Sequence, residues 1–301
     1  MNYKTELSAL IDIVTKERGS DLHLSSGAYP TIRVDSILIP LTQKSRLSAE
    51  DTEGLLMELL NEEQKKRFEI EHEVDYSYQH KAGVRFRGNG FIQQGNVSIA
   101  LRLIANQIRS LQELGLPPIL ETFTELQQGF FLVVGPVGQG KSTTLAAMIE
   151  LINQNRAEHI VTIEDPIEYL FEPKRSLIDQ REVRVDTKDF PTALTAAFRQ
   201  DVDVIMLGEM REPETIATAV TAAETGHLVL STLHTNNAAQ TVNRILDSFP
   251  SDQQEQIRSQ LAGSLTGILS QRLVPRISGG LIPTFELLVN NNAVANLIRE
   301  K

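Results

Sequence analysis

Cysteine is absent from the 301 residues. Disulfides and thiolate zinc sites are therefore excluded. No apolar run approaches the ~20 residues a membrane-spanning helix needs, so direct membrane insertion is not expected. The N-terminus, Met1-Asn2-Tyr3-Lys4-Thr5-Glu6, lacks the apolar core of a signal peptide. The expected location is the cytoplasm, with any membrane contact made through a partner. Basic charge is not in excess: 29 Lys and Arg stand against 39 Asp and Glu, a formal charge of -10. That argues against a nucleic-acid coat, although a local basic groove is compatible with it. Low-complexity segments and internal repeats are also missing. What remains, 41% apolar and 23% charged, is an ordinary soluble globular composition, long enough for two domains with separate cores.

The chain is organised around Phe130-Phe131-Leu132-Val133-Val134 and the G-x-x-x-x-G-K-S run from Gly135 to Ser142. The five apolar residues read as a buried strand, and Thr143 to Asn153 as a helix with Leu145, Met148, Ile149 and Ile152 on one face. Strand, glycine loop, helix is the context of a phosphate-binding loop. Glycines let successive backbone N–H groups turn toward phosphate oxygens, and the helix N-terminus adds its positive end. The expected nucleotide contacts are Gly135, Pro136, Val137, Gly138, Gln139, Gly140, Lys141, Ser142 and Thr143. Lys141 reaches the outer phosphates, and Ser142 can hold Mg²⁺.

Residues 1–112 read as a small α+β domain with an antiparallel sheet. Leu7, Leu10, Ile11 and Val14 follow helical spacing, with Gly19 as a stop. Asp21 to Ser25 and Thr31 to Ile39 read as strands. Ser48-Ala49-Glu50-Asp51 opens a helix through Leu60, and a charged helix spans Asn61 to Ile70. Val74 to Tyr78, Val84 to Ile92 and Asn96 to Ile104 are three further strands. Arg85 and Arg87, two apart, leave one strand on the same face, with Arg102 on a neighbour. Three guanidinium groups on one sheet can receive a phosphate or carboxylate. A solvated face with local salt bridges accounts for them equally well.

A turn-rich linker is read near residues 105–112, and 113–301 reads as the second domain. Ile119, Leu120, Phe123 and Leu126 form a helix leading into the P-loop strand. Strands follow at His159 to Ile163, Val202 to Leu207 and Leu228 to Leu233. Helices lie at Thr187 to Gln200, Glu212 to Glu224 and Asn236 to Ser248. Alternating α and β predicts a mainly parallel sheet covered on both faces. Ligands in such sheets bind at the carboxyl ends of the strands. That edge receives Glu164, Asp165, Glu168, Glu209 and His234. Glu209 follows Val204-Ile205-Met206-Leu207, where a Walker B carboxylate would hold Mg²⁺ through water. Asp203 lies at the wrong end. Glu168 can accept a proton from an attacking water. His234 can sense the γ-phosphate or simply hydrogen-bond in the core. Ser251 to Leu273 reads as a long helix, with a Gly279-Gly280 turn, a strand from Leu281 to Val289 and a helix from Ala293 to Arg299 after it.

These motifs, in this order, resemble the PilT-type retraction ATPases of type IV pili, within the secretion ATPase superfamily. The resemblance begins at Ser20-Asp21-Leu22-His23-Leu24-Ser25. It runs through the Walker A loop, the acidic box Thr162 to Tyr169, and Gly208-Glu209-Met210-Arg211. It closes on the His box, Thr221 to Leu228 and Thr232 to Thr235. It implies a PAS-like N-terminal domain and a RecA-like C-terminal domain in a homohexameric, Mg-ATP-driven ring motor. In such motors ATP lies between the domains. By the same match Glu168 is the general base, Glu209 the Walker B acid and His234 the His-box residue, with Arg85, Arg87 and Arg102 approaching the phosphates. The implied partner is an inner-membrane pilus platform protein. Departures are Val137 and Gln139 in the loop, where Thr and Ser are usual, and Val202 in place of Pro. In the C-terminal signature A-I-R-x-L-I-R-E, Ala295 replaces the first Arg. The alternatives are an assembly or secretion ATPase of the superfamily, a non-hydrolysing nucleotide-binding scaffold, and a small-molecule P-loop kinase.

Overall fold

The computed structural model describes residues 2–34, 37–81, 84–104, 107–277 and 279–300. The chain divides into two compact units, Met1–Asn106 and Gln107–Lys301. The first two residues of the stretch read as a linker, 105 and 106, lie outside the described residues.

The first unit runs α1 (Tyr3–Lys16), β1 (Asp21–Ser25), β2 (Thr31–Val34), β3 (Ile37–Pro40), α2 (Ala49–Leu59), α3 (Glu62–Glu71), β4 (Glu73–Gln79), β5 (Arg85–Gln93) and β6 (Asn96–Ile104). Its sheet has the order β3-β2-β1-β6-β5-β4, and every neighbouring pair is antiparallel. Local chemistry sets the helix ends. Ser48 and Asn61 each close a capping box, with Asp51 and Gln64, which satisfies otherwise orphaned amides. Past α1, the residue in the left-handed region is Arg18 (φ 53°). Gly19 instead donates its N–H back to Val14 O. Leu7, Leu10 and Ile11 of α1 and Leu55 and Leu56 of α2 share a core with Leu22, Leu24, Phe86, Ile99 and Leu101 of the sheet.

The second unit runs α4 (Leu120–Thr124), β7 (Gly129–Val134), α5 (Lys141–Asn155), β8 (His159–Glu164), β9 (Leu177–Glu182), α6 (Phe190–Ala197), β10 (Val204–Leu207), α7 (Pro213–Glu224), β11 (Leu228–Leu233), α8 (Ala238–Leu246), α9 (Ser251–Ser264), β12 (Leu265–Pro275), β13 (Leu281–Val289) and α10 (Asn292–Arg299). The sheet order is β13-β12-β7-β11-β10-β8-β9. All pairs are parallel except β12 with β13. Side chains alternate along the fully buried β7. Phe130, Leu132 and Val134 enter one core with residues of α6, α7, α9 and α10. Phe131 and Val133 enter the other, with α4 and α5. The α/β fold is therefore a sheet covered on both faces, with a separate N-terminal sheet domain.

Four sequence readings need correction. Thr31 to Ile39 is not one strand: β2 and β3 pair antiparallel, Val34 opposite Ile37. The apolar pattern of Ile32 and Val34 carries on through Ile37 and Ile39, so the two strands look continuous in sequence. The long helix from Ser251 to Leu273 ends at Ser264, and Leu265 onward is β12. This strand lies inside the sheet, between β7 and β13. From Leu265 to Gln271 its side chains are buried almost without a break, so it lacks the apolar–polar alternation that marks a half-exposed strand. Gly267 fits there because a Cβ would come within 3.0 Å of Phe123, Phe131 and the Leu288 carbonyl. Finally, β9 was not read as a strand at all. It is a polar edge strand, Leu-Ile-Asp-Gln-Arg-Glu, held by its register with β8. The helix read over Thr187 to Gln200 is shorter, Phe190–Ala197, capped by Asp189.

Candidate nucleotide site at the strand ends

The P-loop joins β7 to α5. Gly135, Gly138 and Gly140 have φ of 151°, 76° and 76°, in the region that glycine adopts without strain. At Gly135 there is also no space, since a Cβ would sit 2.3 Å from the carbonyl oxygen of Gln271. Among the described residues, the amides of Val137 to Thr143 find no acceptor within the protein. That row of orphan donors at a helix start is the cradle a polyphosphate fits. Lys141 is buried, and its ammonium donates to Pro136 O at 2.9 Å. Burial holds that ammonium below the ordinary lysine range, and the carboxylates of Glu209 and Glu168 oppose the shift.

Sheet order explains what lies beside Lys141. Strand β11 runs between β7 and β10, so His234, just past β11, falls between the P-loop lysine and Glu209, just past β10. His234 Nδ1 is 3.3 Å from Lys141 Nζ, and His234 Nε2 is 3.2 Å from Glu209 Oε2. Lysine only donates and a carboxylate only accepts, so both bonds form when the imidazole carries its proton on Nε2. Glu209 also pairs with the exposed Arg211. Glu168 is exposed at the end of the segment after β8. Its neighbour Tyr169 shares a 2.8 Å hydrogen bond with Thr143 of α5. The half-buried Ser142 lies in the first turn of α5.

The segment bearing Glu168 is anchored from below by buried carboxylates. Glu164 is 5% exposed. It accepts from Thr162 Oγ1 at 2.7 Å, from the Glu168 amide at 3.3 Å and from Gln180 at 3.4 Å. Burial pushes its carboxyl up to about 7, against the pull of those donors. Glu182, its register partner on β9, accepts from the Ile167 amide. Asp165 faces Arg184 at 3.8 Å. Asp203, at the opposite strand end, accepts the His159 amide and serves the sheet.

Arg85, Arg87 and Arg102 lie in the first unit, on one face of its sheet. Arg87 stands directly opposite Arg102, and Arg102 opposite Asp21. Arg102 Nε donates to the buried Asp21 at 2.9 Å, and Arg33 lies 3.8 Å from the same carboxylate. Arg102 thus has a structural partner, although its side chain stays 72% exposed.

Sequence spacing did not anticipate the role of β12 in this site. Gln271 is 3% exposed. Its Oε1 accepts from Thr144 Oγ1, and its Nε2 donates to Gln139 O, each at 2.7 Å. No local signal marked it: Gln271 follows Ile268-Leu269-Ser270, inside the stretch that the spacing reads as helix. Beside it a cavity of ≈ 370 Å³ is lined by Leu114, Leu116, Thr143, Leu273, Leu281 and Arg109, among others.

The type II/IV secretion system protein family model matches residues 7–280. The chain belongs to that family. It is 42% identical to the type IV pilus retraction ATPase PilT of Pseudomonas aeruginosa, over 98% of this chain and 86% of that one. It is 44% identical to a twitching motility protein of Neisseria gonorrhoeae, over 96% of this chain and 79% of that one. The crystal structure of the pilus retraction motor PilT with bound ADP superposes with a TM-score of 0.94 at 48% identity, covering 97% of this chain and 85% of that one. The PilT-type resemblance read from the motifs therefore extends over nearly the whole chain. With it stands the assignment as a nucleotide-binding P-loop ATPase.

Proposed function

We propose that this ATPase is a homohexameric, Mg-ATP-driven motor that retracts type IV pili and so supports twitching motility. One observation carries the chemistry: Lys141, His234 and Glu209 form a continuous hydrogen-bonded row beside a glycine cradle with unsatisfied amides. The amides of residues 137–143 and the Lys141 ammonium bind the phosphates. Ser142 and Glu209 are the groups that would hold Mg²⁺, Glu209 through water. The described residues contain no cluster of three or more acidic or His ligands, which suits a cation that takes most of its ligands from phosphate and water. When bound, that cation would neutralise charge building on the phosphates. Glu168 accepts the proton of the attacking water. His234 holds Glu209 in place through Nε2–H and meets the lysine through Nδ1. Arg85, Arg87 and Arg102 are proposed as phosphate-receiving groups, Arg102 while still paired with Asp21. The apolar cavity next to Thr143 has the size of a nucleobase site.

Retraction is supported by the named activities of the relatives, at 42% and 44% identity over nearly the whole chain. The motor would act on an inner-membrane platform protein of the pilus, from the cytoplasmic side. Among the described residues no helix is long and apolar enough to cross a membrane. Two experiments test the reading. Purified protein should hydrolyse ATP, and Lys141→Ala and Glu168→Gln should each abolish turnover; parent-level turnover in Glu168→Gln removes the base assignment. Deletion in the source organism should give excess surface pili and lost surface motility, whereas bald cells would assign the protein to assembly.

A further inference from the structure

We infer that Gln271 and Gln139 form a polar latch through which strand β12 holds the phosphate-binding loop in its binding shape, with Gln271 as a positioning residue. The inference rests on the nucleotide reading of the P-loop and adds Gln271, which no motif contains.

Three hydrogen bonds, all 2.7 Å, tie the loop to one strand. Gln271 Nε2 donates to the backbone oxygen of Gln139, and Gln271 Oε1 accepts from Thr144 Oγ1 in α5. In return Gln139 Oε1 accepts the backbone N–H of Leu273. The two amide side chains are thus crossed: each reaches the other segment's backbone. Gln271 also grips α5 just beyond the lysine. At the other end of the loop, the Gln271 carbonyl packs so closely on Gly135 that no side chain fits between them. Gly140 sits against the same residue, where a Cβ would be 3.0 Å from Gln271 Nε2. Both glycine ends of the loop, its middle and the start of α5 therefore rest on one residue of β12.

The physical consequence follows from the loop's own chemistry. Glycines leave it free to adopt many conformations, and each one frozen on binding weakens affinity. A buried amide with both functions satisfied selects one conformation in advance. Removing it leaves Thr144 and the Gln139 carbonyl without their partners, while the cradle amides lose their alignment. Because Gln271 also lines the apolar cavity beside Thr143, the same residue joins the phosphate end of the site to that cavity.

The test uses the full chain and a fluorescent ADP analogue, with binding and turnover measured separately. Gln271→Leu should weaken ADP affinity about tenfold, the loss expected for two neutral hydrogen bonds that order a flexible loop. Gln271→Glu conserves size and the acceptor for Thr144 but turns an oxygen toward Gln139 O. A latch predicts that it binds as weakly as the leucine variant, whereas a packing role predicts near-parent affinity. Gln139→Ala, at a half-buried loop position, should give a smaller loss of several-fold and keeps the test open should a Gln271 variant fail to fold. Parent affinity in both Gln139→Ala and Gln271→Glu overturns the latch. Failure of the parent itself to bind ADP would instead overturn the nucleotide reading.

Discussion

Glu164 offers a measurement of how the acidic segment is built. Its carboxyl is buried and held at about 7, against an ordinary 4.5. Between those values the native state keeps a proton that the unfolded chain releases. The contribution of this group is therefore greatest below pH 4.5 and is lost as the pH rises toward 7. At about 1.4 kcal/mol per pH unit, the full window amounts to about 3 kcal/mol. Glu164→Gln replaces the carboxyl by an amide of the same shape that does not titrate. It retains an oxygen for Thr162 and Gln180 and turns an N–H toward the Glu168 amide, losing about 1 kcal/mol at every pH. Other carboxylates titrate alike in both proteins and cancel. Urea unfolding of the full chain, followed by circular dichroism at pH 4.5 and pH 8, should show the variant less stable at the lower pH. The difference should move in its favour by about 3 kcal/mol at the higher one. Parallel shifts of the two proteins with pH would refute the picture of a carboxyl kept protonated by burial.

Two further outcomes follow from particular geometries. Gly135→Ala places a methyl group 2.3 Å from the Gln271 carbonyl at a φ of 151°; it should lower stability by about 2 kcal/mol and abolish ADP binding, read by thermal melting and by titration. His159 is held above its ordinary 6.5: burial opposes the charge, but Asp179 and the carbonyls of Asp201 and Gln200 outweigh it. Its contribution is complete below 6.5 and is lost as the pH rises through the elevated value, so Asp179→Asn should flatten the fall in thermal midpoint between pH 6 and pH 8. A variant that keeps the parent's slope would remove this ion pair as its cause.

The chain order of residues carries the P-loop and the strand-end acids almost unaided. Gly135 to Ser142 needs only local backbone freedom and a following helix. Glu164, Glu168, Glu209 and His234 each follow an apolar run, and parallel strands deliver such positions to one edge. The α/β class followed from the same alternation. Tertiary structure decided what no local pattern contains. The insertion of β11 between β7 and β10 put His234, rather than a carboxylate, next to Lys141, because sheet order depends on long-range pairing. The identity of β12 as an interior strand depended on its burial between β7 and β13, since a strand buried on both faces shows no apolar–polar alternation. Only that placement brought Gln271, more than a hundred positions along the chain, under the loop that it holds.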